Sequence, residues 1–193
     1  MKSTTRNSGS SRRPGVAGAQ QASTSTRAGR RTGLPPRLDP DARLLILGSF
    51  PGEASLAAGQ YYAHPRNHFW KLLGEVLAEP LVELSYEDRL RRIAAHRVGL
   101  WDTIVACERE GSLDGAIRNA ERGDIDHVRD TAPLLRVVCF NGKTAARAEP
   151  GWRAAGYATL VLPSSSPAYT RPFEEKLEAW HAIGAALSRK HER

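Results

Sequence analysis

Two stretches of this chain join residue types that do chemistry to backbone residues that can place them. The first is Gly48-Ser49-Phe50-Pro51-Gly52, followed by Gln60-Tyr61-Tyr62-Ala63-His64-Pro65-Arg66-Asn67-His68-Phe69-Trp70-Lys71. Gly, Pro and Gly after an apolar run make a tight turn that brings backbone N–H groups close to a ligand. Two tyrosines and a phenylalanine in one loop are costly to leave in water, so they should line a pocket or pack under it. Asn67 offers a donor and an acceptor together. It also immediately precedes a helical pattern, where Asn is a favoured cap. Its spacing leaves capping and chemistry both open. The second stretch is Leu162-Pro163-Ser164-Ser165-Ser166-Pro167-Ala168-Tyr169-Thr170-Arg171. Such a loop can grip phosphates with hydroxyls and N–H groups, or it can be a rigid connector. Both readings stand.

The elements that must position these residues follow from periodicity. Leu44–Leu47 is a short continuous apolar run ending in Gly48, the pattern of a buried parallel strand. Val98–Trp101, Val137–Phe140 and Thr159–Leu162 are the other three strand candidates. Helices are expected over Phe69–Leu77, from about Ser85 past Ile93, around Asp126–Leu135 and near Thr144–Ala148. Phe173, Leu177, Trp180, Ile183 and Leu187 trace one face of a single closing helix. Alternating strands and helices imply an α/β domain, three layers deep, around a four-stranded, mostly parallel sheet. Ligands bind such sheets beyond the C-terminal strand ends. Residues 48–67, Asn141-Gly142 and 163–170 all fall there.

Composition sets the frame. At 193 residues the chain suits one domain. No apolar run approaches the roughly 20 residues a bilayer requires. Cys107 and Cys139 form neither a disulfide framework nor a zinc spacing. A reduced, cytoplasmic protein is the expectation. The net charge of +7 is unevenly placed: residues 1–37 hold eight basic residues and no acid, so the other 156 sum to −1. That stretch is poor in apolar residues and is expected to be a disordered basic tail, with 38–193 as the folded domain. An organellar targeting segment is the alternative, though Gly and Pro break any amphipathic helix.

At this point a resemblance becomes specific. Gly48-x-x-Pro51-Gly52 with Ala63-His64-Pro65-x-Asn67-x-Phe69-Trp70-Lys71 resembles the first motif region of mismatch-specific uracil-DNA glycosylases. The Gln-Tyr-Tyr and the Leu-Pro-Ser-Ser-Ser-Pro-Ala loop resemble the hypoxanthine branch of that superfamily, over about residues 40–190. The resemblance implies a four-stranded parallel sheet between helices, and a cofactor-free, metal-free monomer acting on DNA that carries a deaminated base. Hypoxanthine leads as that base, with uracil or xanthine behind it. It implies that Asn67 and Ser49 serve catalysis. Gly48, Phe50, Pro51, Gly52, Tyr61, Tyr62, His64, Asn141, Ser164, Ser165 and Ser166 would contact substrate. Two positions depart from the pattern. Phe50 stands where much of the superfamily has a water-activating Asp or Asn, and Leu162 where a donor to the departing base is common. Asn67 takes over the water, and backbone amides of the 48–52 turn and the 163–166 loop would support the base anion.

Base excision requires the nucleotide to swing out of the duplex, and Phe50, Tyr61 and Tyr62 are the candidates to stack on or wall in the base. No lysine is obviously posed as a Schiff-base nucleophile, so hydrolysis leaving an abasic site is expected. A noncatalytic damaged-DNA binder and a small-nucleoside hydrolase are the rivals. Gly142-Lys143-Thr144 lacks the glycine that a phosphate-binding loop needs at 137, and reads instead as a tight turn. His64 and His68 are separated by Pro65 and are not expected to hold a metal. Asp102 and Asp114 are expected to be solvated or capping acids, with Asp102 having the lesser alternative of facing the pocket.

Overall fold

The computed structural model describes Met1 and residues 29–188. The strands are β1 (Arg30–Thr32), β2 (Leu44–Gly48), β3 (Val98–Asp102), β4 (Ile104–Glu108), β5 (Arg118–Arg122), β6 (Val137–Asn141) and β7 (Ala158–Leu162). The α-helices are α1 (Glu53–Ala58), α2 (Phe69–Leu77), α3 (Tyr86–Ala95), α4 (Ile125–Thr131), α5 (Glu149–Ala154), α6 (Phe173–Trp180) and α7 (Ala182–Ser188). The central sheet is four-stranded and parallel throughout, in the order β3-β2-β6-β7.

β2 is buried along its whole length because both faces are covered. Its side chains alternate: Leu44 and Ile46 enter one core with Phe69, Leu72 and Leu73 of α2, Ile93 of α3, Trp180 and Ile183. Leu45 and Leu47 enter the other with Val128 of α4, Trp152 of α5 and Phe140. A period of two divides one strand between two cores, which is the three-layer arrangement expected. Ser85 caps α3 by accepting the Asp88 N–H at 3.2 Å. The closing helix is two helices, broken at His181.

A second sheet, antiparallel and in the order β1-β4-β5, is a departure from the sequence reading. The chain leaves β3 at Thr103 and starts β4 one residue later. Thr103 N–H donates to Gly48 O at 2.9 Å and Ile104 N–H to Ser49 O at 3.0 Å, so the switch of sheets is made against the first motif. The expected tail boundary at residue 37 needs correcting. Arg30–Thr32 pair with Ala106–Glu108, and Arg37 exchanges backbone hydrogen bonds of 2.8 Å with Leu100. Backbone pairing holds residues 30–37 although their side chains bury little. Residues 2–28 of the expected tail lie outside the described residues. No helix among the described residues is long and apolar enough to cross a membrane.

Candidate active site

Gly48, Asp102, Asn141 and Ser164 sit at or just beyond the C-terminal ends of the four parallel strands. Together they form the floor of a cleft of about 500 Å³. One wall is the 49–55 turn and the start of α1. A second is Tyr61, Tyr62, His64 and Asn67. The third is Ser164–Tyr169, and the fourth is Ser112–Gly115 from the connection between β4 and β5. Ser49, Asn67 and every residue expected to contact substrate line this one space, whereas Leu162 lies in the core beneath it.

The Ser-rich loop is held from beneath. Asn141 Nδ2 donates to Ser165 Oγ and its Oδ1 accepts the Ser165 N–H, both at 2.8 Å and both buried. Ser165 O accepts the His68 N–H at 3.0 Å, which ties the loop to the start of α2. Trp180 Nε1 donates to Pro163 O at 2.9 Å, and the buried Lys176 ammonium donates to Tyr169 O at 2.7 Å. Gly142 makes the turn out of β6 at φ +99°, and a Cβ there would lie 2.9 Å from Ser164 Cβ. Only glycine fits both constraints. The loop was expected to offer backbone donors to a base anion. The Ser165 N–H is taken by Asn141 and the Ser166 N–H by Ser164 Oγ, at 3.2 Å.

Asn67 does what its spacing left open. Its Oδ1 accepts the Phe69 N–H at 3.0 Å, capping α2 from one residue outside. Capping uses one lone pair of one atom, and the amide still lines the cleft. Ser49 Oγ donates to Asp114 Oδ1 at 2.7 Å, so the hydroxyl is spent on positioning the 112–115 wall. Tyr62 lies flat on Phe69, ring centroids 3.6 Å apart, with its backbone in the left-handed region at φ 55°. Tyr61 is buried as a wall, its hydroxyl within 3.2 Å of the Leu34 and Pro35 carbonyls. Phe50 packs against Ile104 and Cys107, with the Arg109 guanidinium 4.8 Å from its ring centre. It is therefore a wall more than an open stacking face. His64 accepts the Arg66 N–H on Nδ1 at 3.1 Å.

Three polar residues were placed wrongly or passed over. Asp102 is 4% exposed and lies on the cleft floor, not in solvent. Burial, then the Asp114 carboxylate, push its carboxyl up to about 8, against the pull of Arg109. Asp114 is a half-buried lining residue held by Ser49. Arg109 is buried and donates to Pro51 O, which fixes the first turn from behind. The signal for Asp102 was present: it ends a strand of the sheet on the side where ligands bind. Nothing local marks Arg109.

A family model of the uracil DNA glycosylase superfamily matches residues 35–184. The chain belongs to the uracil-DNA glycosylase superfamily. The family match begins at residue 35, inside the segment that backbone pairing holds. Among curated relatives, a hypoxanthine DNA glycosylase of Methanosarcina barkeri is 41% identical over 151 residues, covering 78% of this chain and 96% of the relative. A second, from Methanosarcina acetivorans, is also 41% identical, over 79% of this chain and 97% of the relative. A solution NMR structure described as that of a candidate uracil DNA glycosylase from Methanosarcina acetivorans superposes with a TM-score of 0.76 at 40% identity. It covers 83% of this chain and all of that one. A superfamily member with this cleft at its strand ends has room for a base that has left the duplex.

Proposed function

We propose that this glycosylase-superfamily protein hydrolyses the N-glycosidic bond of a deaminated purine in DNA, hypoxanthine first, and leaves an abasic site. The observation that carries this reading is the meeting of Asn67, Tyr62 and the Asn141-pinned serine loop in one cleft at the strand ends. The hypoxanthine-named relatives at 41% identity support the choice of base.

Breaking the bond builds positive charge on the sugar and negative charge on the base. The protein must place a water against C1′, hold the base, and keep the surroundings dry. Asn67 is a neutral amide and a poor base, so its work is placement: the amide left over from capping holds the water in line. Tyr62, backed by Phe69, offers the flipped base a flat, rigid surface. Ser164 and Ser166 meet the flanking phosphates, where hydroxyls fix register without reading sequence. Leu113 and Tyr169 line the cleft and stand exposed, apolar edges that would meet the stacked duplex. No lysine lines the cleft among the described residues, which favours water over a Schiff base. In this reading the enzyme is a monomer that uses neither cofactor nor metal and works in the cytoplasm.

The test is single-turnover cleavage of labelled oligonucleotides bearing one hypoxanthine, uracil or xanthine, with alkali revealing abasic sites. Wild type should release hypoxanthine, and Asn67→Ala should be slower by at least about 100-fold, as loss of a positioning group can be. Equal rates would make Asn67 a helix cap alone. Tight binding with no cleavage of any substrate by either protein would favour the noncatalytic binder.

A further inference from the structure

The hydrolytic reading requires a donor for the departing base, and neither position 162 nor the serine loop that follows it provides one. Leu162 is an apolar residue buried in the main core. The N–H groups of Ser165 and Ser166 are consumed within the loop. At the cleft floor the Asp102 carboxyl and the Tyr62 hydroxyl are left, and burial holds the phenol's proton more tightly still than an ordinary tyrosine's. We propose that Asp102, resting beside Gly48 with its buried Oδ2 unpartnered among the described residues, donates the proton with which the purine leaves.

The geometry is specific. A Cβ on Gly48 would lie 2.2 Å from Asp102 Oδ1 and 3.1 Å from the Tyr62 hydroxyl, so both groups crowd the bare α-carbon of a cleft-lining residue. Asp102 Oδ2 and the Tyr62 hydroxyl are both sealed from solvent without a hydrogen bond among the described residues. A carboxylate in that position would leave full charge on an oxygen that no donor meets, whereas a carboxylic acid leaves only a carbonyl oxygen unmet. The ionisable neighbours agree. Asp114 faces it from the β4–β5 connection, and Tyr61 and Tyr62 face it from the loop after α1. Arg109, the opposing cation, donates through Nη2 to the Pro51 carbonyl and lies over the Phe50 ring, while its Nε and Nη1 make no hydrogen bond to Asp102. Burial and the like charge of Asp114 thus hold Asp102 neutral at neutral pH, its carboxyl pushed up to about 8.

This inference rests on the reading that the cleft takes a flipped purine. The Asp102 O–H bond breaks and an N7–H bond forms on the base. The C1′–N9 electron pair then flows into a ring that leaves as neutral hypoxanthine. The water held by Asn67 adds its oxygen to C1′, and its proton returns through solvent to the Asp102 carboxylate. The balance is one water consumed, with one free base and one abasic sugar formed. Enzymes that raise a carboxyl towards working pH for such a transfer gain about 10²–10⁴-fold.

The experiment is a single-turnover pH–rate profile on hypoxanthine-containing duplex for wild type and Asp102→Asn, with released base identified by mass spectrometry. Melting temperature and DNA affinity are measured alongside, to show that the isosteric variant folds and binds. Wild type should hold a plateau near neutrality and fall about tenfold per pH unit above about 8. Asp102→Asn should be at least about 100-fold slower near neutrality, with the alkaline limb gone. A folded Asp102→Asn within threefold of wild type, or one that keeps the limb at the same pH, overturns the proposal. So does a wild-type rate that rises with pH through this range, since that would require the ionised form. If wild type releases no base from any substrate, the glycosylase reading falls and takes this one with it. If wild type cuts and only the Asp102 result fails, the proton donor alone is wrong.

Discussion

Removing the Asn141 side chain should loosen the serine loop by an amount that can be worked from two hydrogen bonds. In Asn141→Ala the Ser165 N–H loses its acceptor and Ser165 Oγ loses its donor, both previously at 2.8 Å. Ser165 is 1% exposed, so neither group regains water without rearrangement. Each orphaned polar group costs about 1–3 kcal/mol, and water entering from the adjacent cleft moves the sum to about 3 kcal/mol. For a domain of this size each kcal/mol shifts the melting temperature by about 2–4 °C, so the expected fall is about 6–12 °C. Because Ser165 O also fixes the His68 N–H at the start of α2, the single-turnover rate should fall as well, through displacement of Asn67. Calorimetry of Asn141→Ala, Ser165→Ala and the double variant checks the reasoning. Once Asn141 is gone, Ser165→Ala removes a group that is already unmet and should cost little more. The account is refuted if Asn141→Ala melts within about 2 °C of wild type, or if the two substitutions add without coupling.

Stability should also report the state of Asp102. Its folded pKa lies above the ordinary value of 3.8, so between about 4 and 8 the folded chain holds a proton that the unfolded chain releases. Wild type therefore loses stability relative to Asp102→Asn as pH rises through that window, by a little over about 1 kcal/mol per unit, and the gap levels off above 8. Melting curves of both proteins from pH 5 to 9 measure it, and a constant gap would mean that Asp102 is ionised throughout. Truncation should separate the two parts of the basic N-terminus. Removing residues 2–28 takes away five basic residues, which should lower DNA affinity at low salt and reduce its salt slope without changing the melting temperature. Removing residues 2–37 also deletes β1 and the carbonyls that meet Tyr61. It should cost several degrees, and equal melting of the two truncations would contradict the structure.

Much of the fold was legible because burial on both faces leaves a plain mark. Leu44–Leu47 is apolar at every position since both cores need it, and β3, β6 and β7 carry weaker forms of the same mark. Naming the strand ends then placed the two chemical stretches and Asn141 together. The second sheet left no such mark. β5 is Arg-Asn-Ala-Glu-Arg, exposed at every position, and β1 is Arg-Arg-Thr. Both are held by backbone hydrogen bonds to β4, which no side-chain pattern encodes. Missing that sheet meant missing one wall of the cleft, and with it the burial of Asp102 and Arg109. An acid at a strand end looks solvated until something folds over it. Here the cover comes from Tyr61 and Tyr62, about 40 residues earlier, and from the β4–β5 connection, about 10 residues later.

The way the cleft's polar groups are satisfied divides its labour. Asn141, Ser165 and Ser49 spend their hydrogen bonds on other protein groups at 2.7–2.8 Å, so their contribution is shape. Asp102 and Tyr62 have buried polar atoms that no group among the described residues meets, on the floor where a base would rest. A folded chain keeps such groups only at a cost of about 1–3 kcal/mol each. At Asp102 Oδ2 nothing among the described residues offsets that cost in the free protein. It is recovered when a ligand with complementary donors and acceptors enters, and a flipped purine presents both along its edge. The same reasoning explains why apolar Phe50 and Leu162 do not disable the site. Phe50 walls the site and Leu162 fills the core beneath it, and the fewer donors the site keeps are stronger for being dry.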